Sequence, residues 1–167
     1  YGRATELIND GMLVSANELL TRAEIHPDNQ SVLPFVQFWK GEIAYRLGKS
    51  DDAIRYYFDY LKSNASNGEV NAYNAKYNLG YSFLKKENYP QAMGFFEQLV
   101  KTPRINSPAL EQDAYIRMAD CFYMGREYKK AKAMYDKVLE FSWPSSDYAT
   151  FQNAMIAGIG SGREKIN

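Results

Sequence analysis

Four alanines, Ala16, Ala53, Ala92 and Ala131, follow one another along this chain at intervals of 37, 39 and 39 residues. Four residues after each stands a large apolar or aromatic side chain: Leu20, Tyr57, Phe96 and Tyr135. Three further on come Ala23, Tyr60, Leu99 and Val138. Steps of four and three keep such residues on one face of an α-helix. Twelve residues before each alanine lies a small residue, Ala4, Gly41, Gly80 or Ala119, as required where a second helix approaches closely. The pattern predicts helical hairpins, one per period.

The turns inside the hairpins are expected at "NDG" (9 to 11), "LGKS" (47 to 50), "KEN" (86 to 88) and "MGR" (124 to 126), with Gly relieving the left-handed backbone at helix ends. Ser50 is expected to cap the next helix, with Asp51 and Asp52 in its first turn, where the helix dipole favours acids. Pro90 fits a first turn, where its missing N–H is not needed. Connectors between hairpins fall at 63 to 70, 102 to 109 and 142 to 147, each rich in Pro, Gly, Asn or Ser. No strand is predicted anywhere.

The units expected are 1–27, 34–62, 73–103, 112–141 and a partial one at 148–167, where "GIGSGR" (158 to 163) reads as an interhelical turn. One amphipathic hairpin cannot bury its own apolar face, so neighbours must cover it. The fold class predicted is therefore all-α, a right-handed α–α superhelix of about four hairpins plus part of a fifth, in a single repeat domain. The last unit stops at "REKIN", where its second helix is expected, which suggests a piece of a longer array.

Leu79, Gly80, Phe83, Tyr89, Ala92, Phe96 and Pro103 together resemble the tetratricopeptide repeat family, whose pattern runs Leu-Gly, aromatic, Ala, aromatic, often with a closing Pro. The other units match it more loosely. A period of about 39 exceeds the 34 typical of that repeat and resembles bacterial cell-envelope members, such as the outer-membrane assembly lipoprotein and the Tol-Pal accessory protein. The resemblance points to a periplasmic or outer-membrane-associated location, with a cytoplasmic one as the alternative. It also implies a solenoid whose first helices line a concave groove.

Composition narrows the function. Twenty Lys plus Arg balance twenty Asp plus Glu, so the electrostatic footprint of a dedicated nucleic-acid binder is missing. The basic run "KKAKAMYDK" (129 to 137) reads as a solvated outer face. Apolar residues make up 46% of the chain and aromatics 15%, enough to fill a core. Its longest apolar run, around Ala154 to Gly160, is far too short to cross a membrane. The opening residues have no signal-peptide character.

Catalysis finds no footing. His26 is the single histidine and Cys121 the single cysteine. His26 falls in a polar connector and Cys121 on the first helix of a later unit, where a buried structural thiol is expected. Asp51 with Asp52, and Glu111 with Asp113, lack the ladder and Gly of a calcium loop. No cofactor, no metal and no catalytic residue is expected. Trp39 is displaced by two residues from the Trp position of the resembled family, so no packing role carries over to it.

What remains is recognition. By the resemblance, the groove is lined by Phe38, Glu42, Tyr45 and Arg46 from one first helix, by Tyr77, Asn78, Tyr81 and Lys85 from the next, and by Ile116, Arg117, Asp120 and Tyr123 from the one after. Tyr suits a groove because its ring buries area at low entropic cost while its hydroxyl reaches a peptide backbone. Asn78 and Arg117 match two positions of the carboxylate clamp of chaperone-cofactor relatives. Phe38, Glu42 and Asp113 stand at the others, and two acids there repel a carboxylate. The expected partner is a protein or peptide segment held by a noncatalytic scaffold. The alternatives are a spacer array that only positions other domains, and exposed terminal hairpins as a surface for homo-oligomerisation.

Overall fold

A computed structural model describes residues 1–102 and 108–166, with backbone only at 27, 29 and 161–166. The described residues form nine α-helices and a 3-10 turn: α1 (Gly2–Asn9), α2 (Leu13–Ile25), the 3-10 turn (Pro27–Val32), α3 (Leu33–Arg46), α4 (Ser50–Leu61), α5 (Ala72–Lys85), α6 (Tyr89–Lys101), α7 (Pro108–Met124), α8 (Tyr128–Glu140) and α9 (Ser146–Ile166). No strand occurs among them; Asn67 and Val70 exchange an isolated pair of backbone hydrogen bonds. The fold class is an all-α helical repeat, as the periodicity predicts. Pro103 and most of the second connector lie outside the described residues.

The chain divides into two compact units, Tyr1–Glu87 and Asn88–Asn167. In the first, α1 packs on α2, α3 on both α2 and α4, and α5 on α4. In the second, α7 packs between α6 and α8, and α9 on α8. The alanines of the periodic pattern are all fully buried, together with Leu20, Tyr57, Phe96 and Tyr135 four residues on. Gly41 shows why a small residue recurs twelve positions earlier: a Cβ there would stand 3.0 Å from the Tyr57 ring.

The hairpin turns share one geometry. Met12 N donates to Leu7 O, Lys49 N to Ala44 O and Glu127 N to Phe122 O, at 2.8 Å in each case, the six-residue closure of a Schellman ending. The left-handed residue occupies the same register every time, five before the marker alanine, but it is Gly only in the first two turns: Gly11, Gly48, Glu87 and Arg126 have φ of 79°, 75°, 59° and 63°. The expectation that Gly relieves the fourth turn is thus corrected. Gly125 precedes the strained position, and Arg126 carries it.

Two further expectations change. Ser50 is the first residue of α4, not its cap; Lys49 precedes it and makes no side-chain capping bond. The glycine run at 158 to 163 is not a turn, since α9 continues through it to Ile166. Each Gly there costs helix stability, yet the remaining residues of α9 continue the helical pattern. Pro90 does fall in a first turn, and Asn88 caps that helix by accepting from Gln91 N at 3.3 Å.

Candidate functional site

The predicted groove residues fall into two groups, one in each compact unit. In the first unit α3 and α5 bring seven of them to neighbouring surfaces. The carboxylate of Glu42 is the hub: Oε2 accepts from the Tyr57 hydroxyl and from Asn78 Nδ2, both at 3.1 Å, and Oε1 accepts from Arg46 Nε at 3.0 Å. Asn78 Nδ2 also donates to the Tyr57 hydroxyl at 2.8 Å. One acid therefore ties α3 to α4 and to α5. Burial, followed by the adjacent Glu42 charge, holds the Tyr57 hydroxyl well above its ordinary pKa, so it remains a donor.

Around this hub lie the aromatic side chains. The Lys85 ammonium sits 4.3 Å from the centre of the Tyr45 ring, a cation–π contact joining α5 to α3. Tyr77 and Tyr81, one helical turn apart, have ring centroids 5.1 Å apart. All three tyrosines are half-buried, whereas Lys85 and Arg46 are exposed. Arg46 also donates through NH1 to Ile8 O at 3.2 Å, extending the surface to α1. Phe38 stands apart from this group. It is 3% exposed and packs edge-on against Trp39, Tyr57 and Tyr60, so its place is the hydrophobic core of the second hairpin.

Arg117, Asp120 and Tyr123 belong to α7 in the second unit. Asp120 is buried and repeats the role of Glu42: Oδ1 accepts from the hydroxyls of Tyr135 on α8 and Tyr148 on α9, the latter at 2.7 Å, and Oδ2 accepts from Arg117 NH1 at 2.5 Å. Gln152 donates to the same two hydroxyls at 3.4 and 3.2 Å. Arg117 also reaches Asp113 at 3.4 Å. Burial and the Asp120 carboxylate push Tyr148 up to about 12 and raise Tyr135 further. Tyr123 is half-buried against the edge of Tyr128. The cationic and amide groups at the two clamp-matching positions, Arg117 and Asn78, are thus both engaged with acids of this chain.

Tyr57, Tyr135, Tyr148 and Gln152 were absent from the predicted site. A signal for two of them is visible in the repeat register. The residue after the small position is Glu42 or Asp120 in the hairpins whose second helix carries Tyr57 or Tyr135; it is Thr5 or Tyr81 where that position is Leu20 or Phe96. Acid and phenol occur together or not at all.

The remaining chemistry-bearing residues lie elsewhere. His26 is exposed, and its Nδ1 accepts from Asp28 N at 3.2 Å. Cys121 is buried, and burial pushes its thiol up to about 12. Among the described residues no group of three His, Cys, Asp or Glu side chains is placed to hold a metal ion. No described helix is long and apolar enough to cross a membrane.

A stack of helical hairpins whose small and aromatic residues recur in one register defines an α-helical repeat protein. Two family models, each described as a tetratricopeptide repeat, match residues 40–109 and 113–142. Together these spans cover more than half of the sequence, and the chain belongs to the tetratricopeptide repeat family. Tetratricopeptide repeats are generally protein–protein interaction modules and typically serve as scaffolds. No curated protein matches the chain.

Proposed function

We propose that the chain is a noncatalytic scaffold that binds a peptide or protein segment on the first-helix surface of α3 and α5. The supporting observation is the cluster of Tyr45, Tyr77 and Tyr81 with Lys85 over the Tyr45 ring, set on helices that Glu42 and its three donors fix in place. Rigid aromatic anchors over a fixed base lose little entropy on binding. Arg46 and Lys85 give the surface its polarity, and the Glu42 charge is already matched from within. In the second unit, taken by itself, Tyr123 is a further half-buried tyrosine on a first helix, while Arg117 and Asp120 act through the α7–α9 node.

Selection of a displayed peptide library on the protein tests the proposal. The Tyr77→Ala/Tyr81→Ala variant is expected to lose the selected peptides while its helicity is unchanged. Undiminished binding by that variant would overturn the groove reading.

One observation favours a second reading, a spacer array that positions other domains. Asn78 turns its polar group to Glu42 in the first unit and Arg117 turns its own to Asp120 in the second, as they would in a part whose task is to hold spacing. Under that reading the same substitutions are silent. The lengthened repeat supports a place in the bacterial envelope, which fractionation of the source cells would test.

A further inference from the structure

The second compact unit holds a cavity that the repeat pattern does not require. It measures about 190 Å3 and is lined by Val100 of α6, by Pro108, Glu111, Gln112 and Tyr115 of α7, and by Trp143 in the turn between α8 and α9. Steps of three and four place the α7 residues on one face of that helix. In the other first helices the positions of Glu111 and Tyr115 hold Leu33 and Gln37, or Ala72 and Lys76. Hairpins therefore stack there without this acid and this ring.

Two aromatic rings meet at the cavity nearly at a right angle: Tyr115 and Trp143 have centroids 5.4 Å apart and planes inclined at 84°. Trp143 is held in place from several sides. Its backbone N–H donates to Val138 O at 3.3 Å, its carbonyl accepts from Ser146 Oγ at 2.6 Å, and its ring stacks on Phe141 at 5.7 Å between centroids. The turn that delivers it holds Ser142 at a φ of 53°, a strained backbone for a residue with a Cβ. The remaining lining supplies charge of one sign. Glu111 is half-buried, and among the described residues no hydrogen bond or ion pair engages its carboxylate. The described lining contains no Lys or Arg. Aromatic faces attract a cation through the ring quadrupole, and an unmatched carboxylate beside them favours positive charge and repels anions. Val100 and Pro108 add apolar wall, which suits alkyl groups on a nitrogen. The volume falls below the roughly 300–1,000 Å3 of pockets for drug-sized ligands, so it matches a cationic head group. We propose that this cavity binds an alkylated ammonium group, such as that of choline or of a methylated lysine side chain. It lies wholly in the second unit and shares no residue with the tyrosine cluster on α3 and α5, so the two can be tested independently.

The chain has two tryptophans, Trp39 and Trp143, and so two indole N–H signals in NMR spectra of the whole chain. Titration with choline is expected to move the Trp143 signal to saturation, with a Kd on the order of 1 mM, and to leave that of Trp39 in place. The uncharged isostere 3,3-dimethyl-1-butanol, of similar shape, should bind about tenfold more weakly. Glu111→Gln keeps the size of the side chain and removes its charge; Tyr115→Leu removes one ring. Each is expected to weaken choline binding about fivefold or more, with an unmoved Trp39 signal showing that the fold persists. N-acetyl-trimethyllysine methylamide separates the sources: tighter binding than choline assigns a peptide side chain, weaker binding a free cation, and both support the cavity as an ammonium site. No saturable shift of Trp143 up to about 100 mM choline, equal affinity for the isostere, or unchanged affinity in Glu111→Gln would overturn the proposal.

Discussion

Asp120 receives donors from three helices, Arg117 on α7, Tyr135 on α8 and Tyr148 on α9, and that convergence makes single substitutions informative. Asp120→Asn removes the charge and turns one acceptor into a donor facing hydroxyls, so a loss of about 2 kcal/mol is expected in urea unfolding. Tyr135→Phe should then cost less in that background than in the unaltered chain, a coupling that a double-mutant cycle measures. The same node gives a pH dependence. With Tyr148 pushed up to about 12, the folded state retains a proton that the unfolded chain releases from about pH 10 upward. Its contribution is fully present below that point and is lost as pH rises toward about 12. Alkaline titration of stability should show this fall, and Tyr148→Phe should flatten it. Glycine gives a contrast of sign. Gly41→Ala forces a Cβ to 3.0 Å from the Tyr57 ring and is expected to cost about 1–3 kcal/mol, whereas Gly158→Ala meets open space and should stabilise by about 0.5–1 kcal/mol; thermal melts of the two variants compare them directly.

Individual helices owe their limits to local chemistry that the sequence shows unevenly. Asn71 caps α5 by accepting from Asn74 N at 2.8 Å, and Asn71→Ala is expected to lower stability by about 1 kcal/mol, measurable by denaturant midpoint. The turn between α7 and α8 holds Arg126 at a φ of 63°, a conformation that costs a side chain with a Cβ about 1–2 kcal/mol. Arg126→Gly should therefore raise the midpoint despite its entropic cost in the unfolded chain, while the same change at an ordinary α8 position lowers it. The turns themselves were legible from composition. Which residue bears the left-handed backbone was not, because the register is set by the closing hydrogen bonds of the helix and not by where glycine happens to fall. The glycines near 160 misled in the opposite direction, since a helix tolerates glycine when its other residues continue the pattern.

For the whole chain, cooperativity should follow its two compact units, Tyr1–Glu87 and Asn88–Asn167. Stability in a repeat protein is approximately a sum over units and their neighbours. Hydrogen exchange in Asp120→Asn is accordingly expected to quicken in α7, α8 and α9 far more than in α2 and α3; equal loss throughout would show a single cooperative block. The repeat spacing survives any substitution keeping size and polarity, and the matched tetratricopeptide spans of 40–109 and 113–142 lie over three of the four hairpins that the alanine intervals marked, those of Ala53, Ala92 and Ala131.

Periodicity by itself determined that the chain is helical, how long each repeat is and which small and aromatic positions meet, because burial of one face per helix imposes those choices on the sequence directly. It did not separate a ring in the core from a ring at a surface. Phe38 and Tyr77 hold the same place in their repeats, yet one is 3% exposed and the other half-buried. Nor did it show that Glu42 and Asp120 draw in tyrosines and amides from neighbouring helices. Those outcomes depend on the side chains contributed by other helices, far along the chain, and only tertiary packing brings them within hydrogen-bonding distance.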